Sequence, residues 1–390
     1  MEPSRRPPDH PGPPPESLHP AFLTTDIDVK EDGRIIYYGQ PRTDTRRLEQ
    51  QVWPLFRDHG YEVRLDTVTD SEADPITGVE VGERRRALVA EPRRIGVEGI
   101  PWKNLAMFVA TVLTTLYAGT IWYYQPIEGP LDLLAGWPFA AAVLGVLAVH
   151  ELGHYALSRY HGVQASLPYF IPVPSFIGTF GAVISMRGRI PNRRALFDIG
   201  VSGPLAGLVA AVCVAVVGLH LDPIQVPEYV IESEESIQLE LGYPPLLEFL
   251  AWATGGQLTY EDPAVVANPV IFGAWVGLFV TFLNLIPVGQ LDGGHIIRSM
   301  VGERAETIAS LVPGALFGLA AYLAFFTDVS YNAPALWGFW GLITLVLAYV
   351  GLVTPVFDEP LDPGRMAIGV VTFALGILCF TPVPIELIGP

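Results

Sequence analysis

The chain has 390 residues, half of them hydrophobic, yet its formal net charge is −17, so apolar and charged residues must occupy different stretches. Only two of its 23 cationic residues are lysines, Lys30 and Lys103, and no Lys or Arg stands between Arg194 and Arg298. This argues against a nucleic-acid-binding protein, which needs clustered cations for phosphate contacts, and for a membrane protein with polar ends and loops.

Excess carboxylate with so little lysine is the surface chemistry of a chain that must stay hydrated in concentrated salt. Halophily is therefore a hypothesis of the composition; folding that is best in dilute buffer would contradict it. Cys213 and Cys379 both lie in apolar runs and read as small core residues, not as a disulfide or ligand pair.

Residues 1–25 hold eight prolines and few groups that pack, which predicts a disordered tail. No basic-then-apolar signal sequence is evident there, so insertion is expected to rely on an internal span. Residues 26–100 alternate short β-type runs (Arg34 to Tyr38, Glu62 to Thr67, Ala87 to Val89) with a helical stretch from Thr43 to His59. That stretch puts Leu48, Val52, Leu55 and Phe56 on one side. A small soluble cytoplasmic α+β domain follows as the expectation, with Pro54 bending its helix or marking early turns.

Residues 101–390 carry long apolar segments at about 104–124, 136–160, 196–220, 268–288, 306–326, 334–355 and 366–383, each near the ~20 residues a spanning helix needs. The fold class is thus an all-α polytopic membrane protein of about seven spans, preceded by the α+β domain. Arg84, Arg85, Arg86, Arg93, Arg94 and Lys103 precede the first span, Arg187, Arg189, Arg193 and Arg194 precede the third, and Arg298 and Arg304 follow the fourth. All fall on one side if the N-terminus is cytoplasmic, and the segments 125–135, 221–267 and 327–333, acidic and free of Lys and Arg, then face outward. A multi-pass protein of the cell membrane, embedded in the lipid bilayer, is expected.

Residues 167–186 are apolar but contain Pro168, Pro172, Pro174, Gly178 and Gly181, and must start and finish on the same side. That predicts a re-entrant loop, tolerated at membrane depth only where it is buried in protein or lines a wet cavity.

His150-Glu151-Leu152-Gly153-His154 fits the pattern H-E-x-x-H: the histidines fall on one helix face where both can reach one zinc ion, and Glu151 lies beside the metal as general base. A random chain of this length shows the pattern about once in a hundred, so context has to decide. Here it sits in an otherwise apolar span, where a charge and two imidazoles are costly unless function compensates. A third ligand is needed, and Asp292 is the candidate, in a segment Asn284-Leu-Ile-Pro287-Val-Gly-Gln-Leu291-Asp292-Gly293-Gly294 where proline breaks the fourth span. The second and fourth spans run in the same direction, so His150, His154 and Asp292 converge near the cytoplasmic leaflet. An interfacial Asp-Gly turn is the plainer alternative for Asp292 alone.

These motifs, with Ser202-Gly203-Pro204-Leu205-Ala206-Gly207 between them, resemble the site-2 protease family of intramembrane zinc metalloproteases. Gly178-Thr-Phe-Gly181-Ala and Arg193-Arg-Ala-Leu-Phe-Asp198 look like its EGY-type branch, which includes plastid proteases and archaeal and bacterial relatives. The resemblance covers roughly residues 85–355. It implies a three-span catalytic core (134–303), zinc on His150, His154 and Asp292, and hydrolysis of transmembrane or membrane-adjacent protein substrates. It also suggests a substrate-orienting or oxyanion role for Asn284, against the alternative that Asn284 caps the broken helix. Gly178, Thr179, Phe180 and Gly181 offer exposed backbone that could pair with an extended substrate. Gly203 and Gly207 read as close-packing positions. Asp198 is expected to reach cytoplasmic water, and His295 to stand behind the metal. A catalytically silent scaffold or chaperone, or a metal transporter, is the competing class; it would have lost a ligand or the glutamate, or spread its ionisable sites along a path.

Overall fold

The computed structural model describes residues 10–73, 80–93, 99–231 and 238–388, and the chain divides into two compact units, 1–96 with 187–190 and 97–186 with 191–390.

In the amino-terminal unit a single turn α1 (Pro15–Leu18) leads into β1 (Phe22–Val29), β2 (Ile35–Pro41), α2 (Thr45–Asp58), β3 (Tyr61–Ala73) and β4 (Glu80–Pro92). The sheet is antiparallel in the order β1-β2-β4-β3. Asp44 starts α2 by accepting from the Arg47 amide at 3.0 Å, and Leu48, Val52 and Phe56 lie buried on one face. Pro54 stands inside the second half of this helix instead of marking its early turns.

The disordered tail expected over residues 1–25 is corrected for its second half. Leu18, Ala21 and Phe22 are buried, β1 pairs along β2, and the Tyr37 hydroxyl donates to the Pro13 carbonyl at 3.0 Å. These few apolar side chains suffice because a sheet face already waits for them; residues 1–9, like Arg94, lie outside the described residues.

The second unit is helical: α3 (Trp102–Trp122), α4 (Trp137–Tyr160), α5 (Arg193–Leu219), a turn α6 (Glu228–Ile231), α7 (Pro245–Thr254), α8 (Pro269–Asn284), α9 (Asp292–Val301), α10 (Ala305–Phe326), α11 (Asn332–Val350) and α12 (Pro363–Leu378). Among the described residues five helical stretches are long and apolar enough to cross a membrane: 102–122, 130–160, 193–219, 292–326 and 332–350. The other two expected spans, α8 and α12, are shorter apolar helices of 16 residues each. At about 1.5 Å per residue such a helix covers ~24 Å of a core ~30 Å thick. For α8 the reason is local, since the chain leaves the helix after Asn284, just ahead of Pro287.

Helices α4, α5 and α8 pack around Phe139, Val143, Leu147, Ala211, Ala215, Phe272 and Trp275. Residues 167–186 form the re-entrant element as a β-hairpin of β5 (Tyr169–Pro172) and β6 (Thr179–Val183), with a bulge between Phe170 and Pro172. It runs along α3. Asn104 Nδ2 donates to the Leu167 and Pro168 carbonyls (2.9 and 3.0 Å), Thr114 Oγ1 to the Gly178 carbonyl (2.6 Å) and Trp122 Nε1 to the Phe176 carbonyl (2.7 Å). From Asn104 to Trp122 the helix rises about 27 Å, so protein groups satisfy hairpin carbonyls at several depths where lipid could not. Gly178 has φ +84°, and a Cβ there would strike the α3 backbone at Thr115, so only glycine fits.

Candidate metal centre

His150 and His154 lie one turn apart on α4, ten and six residues before its end, or about 15 and 9 Å deep along the helix. Both are buried. Their Nε2 atoms are 3.2 Å apart, and Oδ2 of Asp292 is 3.2 Å from each. These three residues are a metal-capable cluster in the described chain. Three corners of a tetrahedron with bonds of about 2.0–2.1 Å stand ~3.3 Å apart, so the triangle fits a zinc ion with its fourth corner open.

The backbone explains how the triangle is held. His154 donates from Nδ1 to the Ile199 carbonyl of α5 at 2.8 Å, which leaves the Nε2 lone pair facing the cluster. Gly203 and Gly207 lie on the other side: a Cβ on Gly203 would overlap the His154 ring, and one on Gly207 would come 2.9 Å from His150 Nδ1. The close-packing positions of α5 therefore press on the two imidazoles themselves.

Asp292 opens α9, directly after the turn that ends α8. Side chains on Gly293 or Gly294 would strike the backbone of Leu285 and Gly289, so the Asp-Gly-Gly sequence lets α9 start against that turn. Asn284, the last residue of α8, points its Nδ2 to within 3.3 Å of His150 Nε2. Its side chain thus joins the cluster instead of capping its own helix.

Glu151 is buried beside the triangle, and its helix α4 packs against β6, the outgoing strand of the hairpin. Of the loop residues, Gly178 packs on α3, the Thr179 hydroxyl bonds the Ile171 carbonyl at 2.9 Å, and Phe180 projects outward, 79% exposed. Gly181 adopts φ +105° with open space around its α-carbon. Among the described residues β6 pairs only with β5, leaving its other edge unpaired.

His295 is buried on α9 with Nδ1 unbonded and its Cβ against Gly200 of α5. His220 bonds back to the Val216 carbonyl of its own helix. Asp198, expected to reach water, is instead paired with Arg365 at 2.8 Å and with His161 at 3.0 Å. The sequence showed no partner for it because Arg365 is 167 residues away.

Residues 138–325, which include the whole cluster, match Peptidase family M50. Over these residues the chain is similar to the M50 peptidases. It is 28% identical over 94% of its length to a probable zinc metalloprotease EGY2, chloroplastic, of Arabidopsis thaliana, and 30% identical over 93% to the corresponding protein of Oryza sativa subsp. indica. A probable zinc metalloprotease EGY1, chloroplastic, of Arabidopsis thaliana is 31% identical over 64%. The chain spans 63%, 64% and 43% of these relatives' own lengths. No solved structure matches it. The five motifs that resemble site-2 proteases and their EGY-type branch all fall inside the matched residues.

Proposed function

We propose that this chain is a zinc-dependent endopeptidase that hydrolyses peptide bonds of transmembrane or membrane-adjacent proteins. The observation that carries the reading is the buried triangle of His150, His154 and Asp292 with Glu151 next to it in an apolar helix. Zinc bound there supplies Lewis acidity towards a peptide carbonyl and a water molecule. Glu151 takes the water proton on its carboxylate and passes it to the leaving amine. Asn284, reaching the same corner of the cluster, is placed to orient the scissile amide. The unpaired edge of β6, from Thr179 to Val183, receives the unwound substrate as an added strand beside α4, the helix that carries Glu151. Gly178 and Gly181 shape that edge and Phe180 flanks it.

Residues 101–390 form the protease domain and the amino-terminal unit is cytoplasmic. The flanking arginines support this orientation, and with it a place in the cell membrane with the cluster towards the cytoplasmic leaflet.

The test is cleavage of co-reconstituted single-span reporter proteins by wild type and Glu151→Gln, with zinc measured in both. Wild type should cut, and the variant should keep its zinc while losing activity by about 10²–10⁴-fold. If both bind zinc and neither cuts a broad reporter panel, the protease reading fails in favour of a scaffold or transporter.

A further inference from the structure

We propose that the segment 351–365, which links α11 to α12 and includes the first residues of α12, outside the family-matched region, is a clasp that positions the metal-binding helices. Asp358 and Arg365 are its two positioning residues. The inference rests on the metal-site reading above.

The clasp is built from three kinds of contact. Its backbone docks at the start of α5: Phe357 donates to the Pro191 carbonyl at 2.9 Å and forms a parallel bridge with Asn192, the residue that caps α5. Its apolar residue Leu361 packs on Phe197, Val201, Leu285 and Ile296, a cluster shared by α5, the end of α8 and α9. The third kind is ionic, and it singles out α9.

Asp358 accepts from Arg298 on both oxygens, Nη1 to Oδ1 at 3.2 Å and Nη2 to Oδ2 at 3.3 Å, and from Nε of Arg193. Arg298 is 3% exposed and lies six residues after Asp292 on the same ten-residue helix. The Arg193 guanidinium occupies the space a Cβ on Gly302 would need, immediately past the end of α9. Two cations therefore stand at the C-terminal end of α9, where the helix dipole favours them, and Asp358 is the anion that holds both. Burial pushes the Asp358 carboxyl up, but hydrogen bonds from Arg193 and Arg298 outweigh it and bring its pKa down to about 2. The carboxylate is thus ionised at any working pH.

Arg365 reaches the other metal helix, α4, through Asp198 of α5. Its Nε and Nη2 bond the two oxygens of Asp198 at 2.8 and 2.9 Å, and its Nη1 bonds Asp362 at 2.7 Å. Asp198 in turn meets His161, the residue that follows α4, at 3.0 Å. The next residue, Ile199, supplies the carbonyl that orients His154.

The mechanical consequence follows from rigidity. A helix of ten residues is about 15 Å long, so a displacement at Arg298 reaches Asp292 nearly undiminished. A guanidinium as buried as Arg298 cannot stay in place without its carboxylate, because nothing there replaces the lost charge. Removing Asp358 should therefore move the third ligand, although no atom of the clasp touches the cluster. Groups that orient metal ligands from behind typically change metal affinity by about 10–100-fold.

The test is the zinc dissociation constant of the full chain in detergent, by chelator competition, together with kcat and KM on a reporter. Three proteins are compared: wild type, Asp358→Asn, and Trp337→Phe, a core substitution in α11 that removes none of the clasp's ion pairs. Asp358→Asn should weaken zinc binding by about 10–100-fold and lower kcat with KM little changed. Trp337→Phe should lower the melting temperature without changing zinc affinity, which separates positioning from general stability. If Asp358→Asn does not fold, Arg365→Lys keeps the charge, loses the fork on Asp198, and should still weaken zinc several-fold. A wild type that binds zinc, with both clasp variants within twofold of it, overturns the clasp and leaves the metal site standing. A wild type that binds no zinc overturns the metal-site reading and the clasp with it.

Discussion

The two flanks of α4 differ as a sealed wall differs from an open bank. On the α5 side the imidazoles of His150 and His154 meet Gly203 and Gly207 with no room for a methyl group, and Gly153 rests against the Ser202 backbone. On the other side Gly145 has nothing within 4 Å, Val149 and Leu152 are exposed, and Phe180 of the hairpin projects outward. The imidazoles are thus locked against α5, while the opposite face of α4 carries little packing. Tight packing sits where the metal ligands must be held.

The sharpest way to break the comparison is to add one methyl to the sealed wall. Gly203→Ala puts a carbon onto the His154 ring, whose Nδ1 is already held by the Ile199 carbonyl. Zinc affinity should fall by at least about 100-fold and cleavage with it. Gly207→Ala meets the His150 ring at 2.9–3.0 Å, a gap that side-chain movement can relieve in part, so its loss should be nearer tenfold. Wild-type zinc content in Gly203→Ala would show that the wall is looser than its geometry.

On the open bank the same change should spare the metal and touch the substrate. Gly181 holds φ +105° with space around it, so Gly181→Ala is strained by backbone conformation alone, at a cost of about 1–3 kcal/mol. The β6 edge would distort, KM for reporter proteins should rise, and zinc content should stay at the wild-type level. A normal KM with lost zinc would mean that the hairpin supports the metal and not the substrate.

How much of this is legible in the sequence depends on distance along the chain. His150, Glu151 and His154 are legible because four residues make one helical turn, and Asp292 because Pro287 and Gly293 mark a break in an apolar run. The prolines and glycines of 167–186 likewise announce irregular backbone, though not that β6 would pack on the helix that carries Glu151. By contrast β1 hides behind a proline-rich start, and α9 hides because Asp-Gly-Gly reads as a turn. The clasp is invisible for a different reason: Asp358 finds Arg193 and Arg298 across 165 and 60 residues, with no periodicity to link them. Charge pairs between distant segments carry no local pattern; only the fold brings them together.

The smallest effect closes the comparison from the opposite end. Gly145 stands on α4 five residues before His150, in a helix interior where alanine is the better helix former. Its Cβ would meet open space. Gly145→Ala removes backbone freedom from the unfolded chain without a clash, so it should leave zinc affinity unchanged and raise stability by about 0.5–1 kcal/mol, read as a higher melting temperature in detergent. The same glycine-to-alanine change would then destroy the site from α5 and strengthen the helix from its own open face. Loss of zinc in Gly145→Ala would mean that both faces of α4 are tight and that the contrast between them is false.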